Sequence, residues 1–188
     1  MQDFSDQTFT GLTYGESAFV AGEYDQCRFE QCDFSNAKLD QSIFIDCEFT
    51  QCNFTMASVQ KTSLQQVVFR ECKLLGIRFE NLNPFGLAFR FEDCNLESAS
   101  FFGMKIPSTP FLRCRLNGVE FSGTDLSGSD FSGSMLTDAH FEQTKLEKAD
   151  FRTAEGFQID PEKNKINRAK FNTVNVLLLL SKYRLDIS

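Results

Sequence analysis

From Phe4 onward the chain places an apolar residue at every fifth position. The series runs Phe9, Tyr14, Phe19, Tyr24, Phe29, Phe34, Leu39, Phe44, Phe49, Phe54, Val59, Leu64, Phe69, Leu74 and Phe79, with Pro84 interrupting it before Phe89. It resumes two residues out of step at Phe91 and continues through Leu96, Phe101, Ile106, Phe111, Leu116, Phe121, Leu126, Phe131, Leu136, Phe141, Leu146 and Phe151. A helix repeats at 3.6 residues and a strand at 2, so neither produces this period. The residue two before each centre is small or modest, as at Cys27, Cys32, Ala37, Ser42, Cys47, Ala57, Cys94 and Ala149. Two inward positions per five residues follow. The charged residues from Asp3 to Arg152 fall on the other three, as the cost of burying unpaired charge requires.

A second period of twenty sets the geometry. Phe9, Phe29, Phe49, Phe69 and Phe89 align and, after two extra residues, the line passes to Phe111, Phe131, Phe151 and Phe171. Tyr14, Phe34, Phe54, Leu74, Leu96, Leu116 and Leu136 form a second line, which places the two extra residues between Phe89 and Leu96. Four fives make one coil. Coils stacked at a strand spacing of about 4.8 Å would form an aromatic ladder roughly 38 Å long, each buried Phe contributing about 1.5–3 kcal/mol before chain entropy is subtracted.

Tandem units such as Cys32-Asp33-Phe34-Ser35-Asn36, Ala37-Lys38-Leu39-Asp40-Gln41 and Ala149-Asp150-Phe151-Arg152-Thr153 resemble the pentapeptide-repeat family over about residues 4 to 153. The resemblance implies an all-β, right-handed quadrilateral β-helix with tight turns at its corners. Gly123, Gly128 and Gly133, each two past a centre, suit such corners. The expected organisation is a β-helix over residues 1–171, with an irregular loop at about 155–165, and a helix and tail over 172–188.

A solenoid has to cover its open ends. Thr173 to Tyr183 reads as a short α-helix with Asn172 or Thr173 as N-cap, too short to cross a bilayer. Its consecutive leucines put apolar surface on more than one face. Val176, Leu177, Leu179, Leu180, Tyr183, Leu185 and Ile187 are therefore the expected contacts of a two-fold homodimer.

Composition narrows the function. The formal charge is −7, which disfavours direct nucleic-acid binding. No run of eighteen apolar residues suggests a membrane span, and Met1-Gln2-Asp3-Phe4-Ser5-Asp6 lacks the pattern of a signal peptide, so a cytoplasmic location is expected. The seven cysteines are then expected to be reduced, and five of them (Cys32, Cys52, Cys72, Cys94, Cys114) share one inward line as small buried fillers. The single histidine, His140, precedes a centre and should face solvent. No arrangement of nucleophile and base, phosphate loop or paired carboxylates is recognisable, so neither catalysis nor a metal or other cofactor is expected.

Among pentapeptide-repeat proteins the chain resembles the quinolone-resistance and topoisomerase-poison immunity group, through the Asp160-Pro161-Glu162-Lys163-Asn164 segment, the return of the pattern from Ile166 to Phe171 and the apolar cap. That resemblance implies a rod-shaped dimer, joined through its C-terminal caps, that binds DNA gyrase or topoisomerase IV as a mimic of duplex DNA. Charge qualifies the mimicry. Residues 1–50 hold ten acidic and two basic side chains, a net of 2 − 10 = −8, so the acidity of such a dimer lies at its tips. Glu23, Asp25, Glu30, Asp33, Asp40, Asp46 and Glu48 are the candidate partner surface. The alternative is an interaction scaffold for an unrelated protein, with the segment from Pro84 to Phe91 as its landmark.

Overall fold

The computed structural model describes residues 2–15, 19–183 and 186. The chain winds as a four-faced parallel β-solenoid in which each coil lies on the one twenty residues earlier. Two faces begin as sheets. Strands β1 (Gln2–Ser5), β3 (Gly22–Asp25), β5 (Ile43–Ile45) and β7 (Ser63–Gln65) form the first. The second stacks β2 (Thr8–Thr10), β4 (Arg28–Glu30), β6 (Glu48–Thr50), β8 (Val67–Arg70), β9 (Phe89–Glu92) and β10 (Phe111–Leu112). The other two faces, and all four beyond β10, are held by single-residue parallel bridges such as Asn53 to Lys73 and Glu120 to His140.

Stacked rings fill the core. Phe9, Phe29, Phe49, Phe69, Phe91, Phe111, Phe131, Phe151 and Phe171 pile with centroids 4.7–5.5 Å apart and planes within 18° of parallel. Neighbouring lines meet edge to face, as Phe29 and Phe34 do at 5.6 Å and 67°. Both arrangements satisfy the ring quadrupole, which disfavours an eclipsed sandwich. Where Val59, Leu64 and Leu74 replace rings within one coil, a void of about 20 Å³ remains.

The ladder corrects the expected position of the frame slip. Phe69 pairs with Phe91, and Phe89 lies opposite Val67. The two extra residues therefore lie before Phe89 and not between Phe89 and Leu96. Asn83 still holds the original register, its Nδ2 donating to Ser63 Oγ at 2.9 Å and its N–H to Thr62 O at 2.9 Å. Pro84 then supplies no N–H to the ladder, Gly86 turns at φ +68°, and Ala88 rejoins by donating to Leu64 O at 3.0 Å. Phe89 thus occupies a small-residue position and is buried there. The sequence spacing was ambiguous because Phe89 and Phe91 are both aromatic.

Corners are built from left-handed residues. Among the described residues nineteen non-glycine ones have positive φ, Gln31, Asn36, Lys61 and Arg113 included, and most lie two past a centre. Gly123, Gly128 and Gly133 occupy equivalent corners at φ +70° to +74°. On the faces held by bridges, a turn bond runs from the next small residue's N–H to the centre's carbonyl, as from Ala37 to Phe34 O at 2.9 Å. That bond together with positive φ at the third residue defines a type II turn. The residue before each centre also contributes. Asp33 Oδ1 accepts from Ser35 N–H at 2.9 Å, and Asn53, Asn95, Asp125, Asp130 and Asp150 repeat the bond.

The regular ladder lapses between Glu155 and Lys165, although Phe157 and Ile159 still point into the core. The C-terminal helix, expected to be α, is a 3₁₀ helix over Asn175–Tyr183. Three residues per turn stack Asn175 directly beneath Leu178. Asn175 can then donate to Phe151 O at 2.7 Å while Leu178 covers the end of the core. Asn172 is the cap: its Oδ1 accepts from Val174 and Asn175 N–H at 2.8 and 2.7 Å, and Asn175 Oδ1 accepts from Asn172 N–H in return.

The corner geometry makes opposite substitutions predictable. Gly123→Ala should cost about 1–2 kcal/mol, because the left-handed conformation and not crowding is what excludes a Cβ there. Lys61→Gly, at φ +57° on an exposed corner, should gain up to about 1 kcal/mol. Urea unfolding of both variants beside the wild type would test the pair, and equal midpoints would contradict it.

Candidate protein-binding surfaces

The seven acidic residues named from the sequence do not share a face. Glu23 and Asp25 flank Tyr24 on the first face, Glu30 and Glu48 lie on the second, Asp33 on the third, Asp40 on the fourth, and Asp46 sits at a corner. Three are already engaged. Glu48 pairs with Arg70 at 2.6 Å, and Asp40 accepts from Ser58 Oγ and Gln60 N–H at 2.6 and 2.9 Å. Asp33 is held below the usual carboxylate range by the Ser35 N–H and hydroxyl and by Asn53. Asp3, Asp6, Glu23, Asp25, Glu30 and Asp46 form no ion pair among the described residues.

Toward the C-terminal end several acids are paired with cations, most of them from neighbouring coils. Arg70 bridges Glu48 and Glu92 across successive coils; Asp93 takes both its bonds from Arg113 at 2.7 Å, and Glu97 pairs with Arg115 at 2.8 Å. Asp150 is held at about 2 by the Arg152 guanidinium bonded to it. The result is an electrostatic gradient along the rod. Net negative charge concentrates on the first coils, spread around all four faces.

At the other end the cap leaves an apolar surface. Val174, Val176, Leu177, Leu180 and Tyr183 are exposed, and Leu178 and Leu179 pack against the core. Leu179, expected at a dimer contact, is thus part of the chain's own cover; Leu185 and Ile187 lie outside the described residues. The helix is clamped by charge. Lys182 Nζ reaches Asp160 Oδ1 at 2.7 Å and Glu162 Oε2 at 2.8 Å, and Tyr183 Oη donates to Glu162 Oε1 at 2.8 Å. The Asp160–Lys163 segment therefore locks the cap in place.

A third surface surrounds the frame slip. Phe85 at the tip of the loop is 78% exposed, and Phe102 on the next coil is 59% exposed. Shallow grooves of about 530 and 340 Å³ flank the loop. The sequence marked the segment as irregular; Phe102 went unnoticed because it stands one residue past a centre, where a polar residue is the rule.

The thiol line is structural. Cys32, Cys52, Cys72 and Cys94 donate to Phe9, Phe29, Phe49 and Phe69 carbonyls at 3.3–3.4 Å. They also accept: Cys52 N–H points at Cys72 Sγ at 3.4 Å, and farther along Cys114 N–H donates to Ser134 Oγ and Thr144 N–H to Asn164 Oδ1, both at 2.9 Å. Cys72, Ser134 and Asn164 thus serve the backbone of the coil before them. Burial pushes the Cys47 thiol up to about 12 and raises Cys27, Cys32 and Cys72 as well. All seven cysteines are free, and His140 is exposed. The native protein should therefore react negligibly with a thiol reagent at pH 8, and the denatured, unreduced protein should yield all seven thiols. Rapid native labelling, or fewer than six thiols after denaturation, would contradict this.

These features define a repeat scaffold that presents surfaces along and at the ends of a packed rod. Family models agree: one described as a pentapeptide repeat region matches residues 23–90, and one described as pentapeptide repeats in eight copies matches 114–152. The chain belongs to the pentapeptide-repeat family. No curated protein matches it in sequence. In fold it is similar to two trypsin-treated variants of QnrB1, described as a plasmid-mediated fluoroquinolone resistance protein. Both matches have a TM-score of 0.64 at 19% identity; the first covers 100% of both chains, the second 96% of this chain and 98% of that one.

Proposed function

We propose that the chain is a non-catalytic cytoplasmic protein that binds a bacterial type II topoisomerase, DNA gyrase or topoisomerase IV, and protects it from quinolones or peptide poisons. The observation that carries this reading is the likeness to fluoroquinolone resistance structures over the full length of both chains. Quinolones act on type II topoisomerases, so a rod of this kind would work by engaging the drug's target. The acidic first coils suit a partner whose own surface is built to hold DNA. Because those acids surround the rod instead of lining one face, mimicry of duplex DNA would be confined to its tips. In a supercoiling assay with DNA gyrase and ciprofloxacin, the purified protein should restore supercoiling or inhibit it at higher concentration; an absence of both effects would reject the topoisomerase reading.

The apolar cap supports a two-fold homodimer, because exposed Val176, Leu177, Leu180 and Tyr183 surround a helix held rigidly by the Lys182 clamp. Light scattering should give a mass of twice 21.4 kDa for the wild type and a monomer for Leu177→Glu/Leu180→Glu with an unchanged circular dichroism spectrum. A monomeric wild type would refute the dimer. The exposed Phe85 and Phe102 favour a second reading, a scaffold for an unrelated protein that grips the irregular loop.

A further inference from the structure

The rod covers one end of its core and leaves the other open. At the C-terminal end Asn175 and Leu178 lie over the last coil. At the N-terminal end Phe4, Phe9 and Tyr14 each stack one face on the second coil, 4.6–4.8 Å from Tyr24, Phe29 and Phe34, and are only partly buried. Leu12 and Val20 beside them are exposed. The backbone is open there as well. Strand β1 pairs only with β3, and β2 only with β4, among the described residues. Asp6, Gly11 and Tyr14 donate to the second coil, and Gln7 and Leu12 accept from it. In such a parallel ladder the alternate peptide groups, those of Asp3, Ser5, Thr8 and Thr13, point to the open side.

Charge distinguishes this end. Residues 1–27 carry five acidic side chains and no Lys or Arg. In later coils the rod sets a cation in register with an acid one coil away, Lys145 with Asp125 and Lys170 with Asp150. On β1 and β3 it sets an acid on an acid. Asp3 lies in register with Glu23, and neither forms an ion pair among the described residues. Asp130 also stands on an acid, Asp150, but Arg152 and Lys170 hold that one. Like charges in register oppose each other. A cation on the open side of Asp3 would complete the column as the later coils do.

We propose that the open N-terminal end receives an extended basic segment of a protein partner, added to β1 as one further rung. An apolar side chain of that segment lies over Phe4, the Lys or Arg on either side of it lie over Asp3 and Ser5, and its backbone pairs with the Asp3 and Ser5 peptide groups. A second copy of the chain is disfavoured as occupant, because two such ends would meet acid to acid. The inference rests on the reading of the chain as a binding protein and specifies how one end engages a partner, whichever partner that is.

The probe is the peptide acetyl-Lys-Val-Lys-Phe-Lys-amide, titrated into the ¹⁵N-labelled full chain and followed by amide chemical shifts. Saturable shifts confined to residues 2–15 and 22–25 are expected, with affinity on the order of millimolar. The same peptide with Glu in place of Lys should not bind. Methylating the phenylalanine nitrogen keeps the charge and the side chains but removes an N–H that the ladder needs, and should weaken binding by about tenfold. Asp3→Asn should weaken binding about threefold without lowering the urea midpoint, because it removes a partner for the peptide and a repulsion within the rod. Equal binding by the methylated peptide would reduce the contact to charge attraction and overturn strand addition; shifts at the cap or along the other acidic coils, or none at all, would overturn it too. No topoisomerase takes part in this assay, so its failure and that of the supercoiling assay are separate results.

Discussion

The rod depends on vertical registration: each inward side chain has to lie directly over its counterpart one coil away. Parallel backbone ladders fix the rise near 4.8 Å, and flat rings stacked at 4.7–5.5 Å fill that rise without gaps. A small core void sits in the coil where Val59, Leu64 and Leu74 replace rings, whereas in the later coils Leu96, Leu116, Leu126, Leu136 and Leu146 alternate with rings and are fully buried. Because each coil touches only its neighbours, a local defect can be absorbed locally. The two extra residues at Pro84 to Ala88 are expelled as a loop, and the ladder resumes at Phe91 with its stacking intact.

Registration carries a backbone cost that the small inward residues help to offset. Turning four corners per coil places a left-handed residue at most of them, a conformation costing roughly 1–2 kcal/mol for a side chain with a Cβ. Where Asp or Asn precedes a centre, as at Asp33 and Asp130, it stabilises the same turn by accepting the N–H two residues on. Where the turn bond is absent, the small residue of the next coil takes over through a sulfur or oxygen atom. Cys72, Ser134 and Asn164 thus perform one task with three chemistries. The thiols are engaged by backbone groups and shielded from solvent.

Much of this architecture was legible in the sequence because the repeat has a period no other structure shares. The centres, the small positions and the corner glycines all follow from spacing, while the choice of Asn172 over Thr173 as cap is made by its bonds to Val174 and Asn175. What was not legible shares a cause: the sequence signal was degenerate. Phe89 and Phe91 both fit the ladder, and only the hydrogen bonds of Asn83 and Ala88 choose between them. An α-helix and a 3₁₀ helix differ little in sequence over nine residues, and the choice was made by Asn175 reaching the Phe151 carbonyl. Alternation of Cys with Ala, Ser and Val at the small position read as a matter of size; at Cys72, Ser134 and Asn164 a polar atom also bonds the backbone. The acidic residues were close in sequence, yet winding distributes them around the rod.

That winding bears on how such a protein can be recognised. A period of five turns residues adjacent in sequence onto different faces, so a surface of one chemistry has to be assembled from residues about twenty apart. The ion pairs between coils show such vertical assembly, Arg70 joining Glu48 to Glu92 and Arg113 joining Asp93. These pairs consume the charge they align, leaving the middle of the rod electrostatically quiet. Distinctive features then remain where vertical repetition fails: at the acidic first coils, at the apolar cap, and at the frame-slip loop with exposed Phe85 on it and exposed Phe102 on the next coil. In a solenoid whose regular faces repeat the same pattern, the interruptions are what a partner can distinguish.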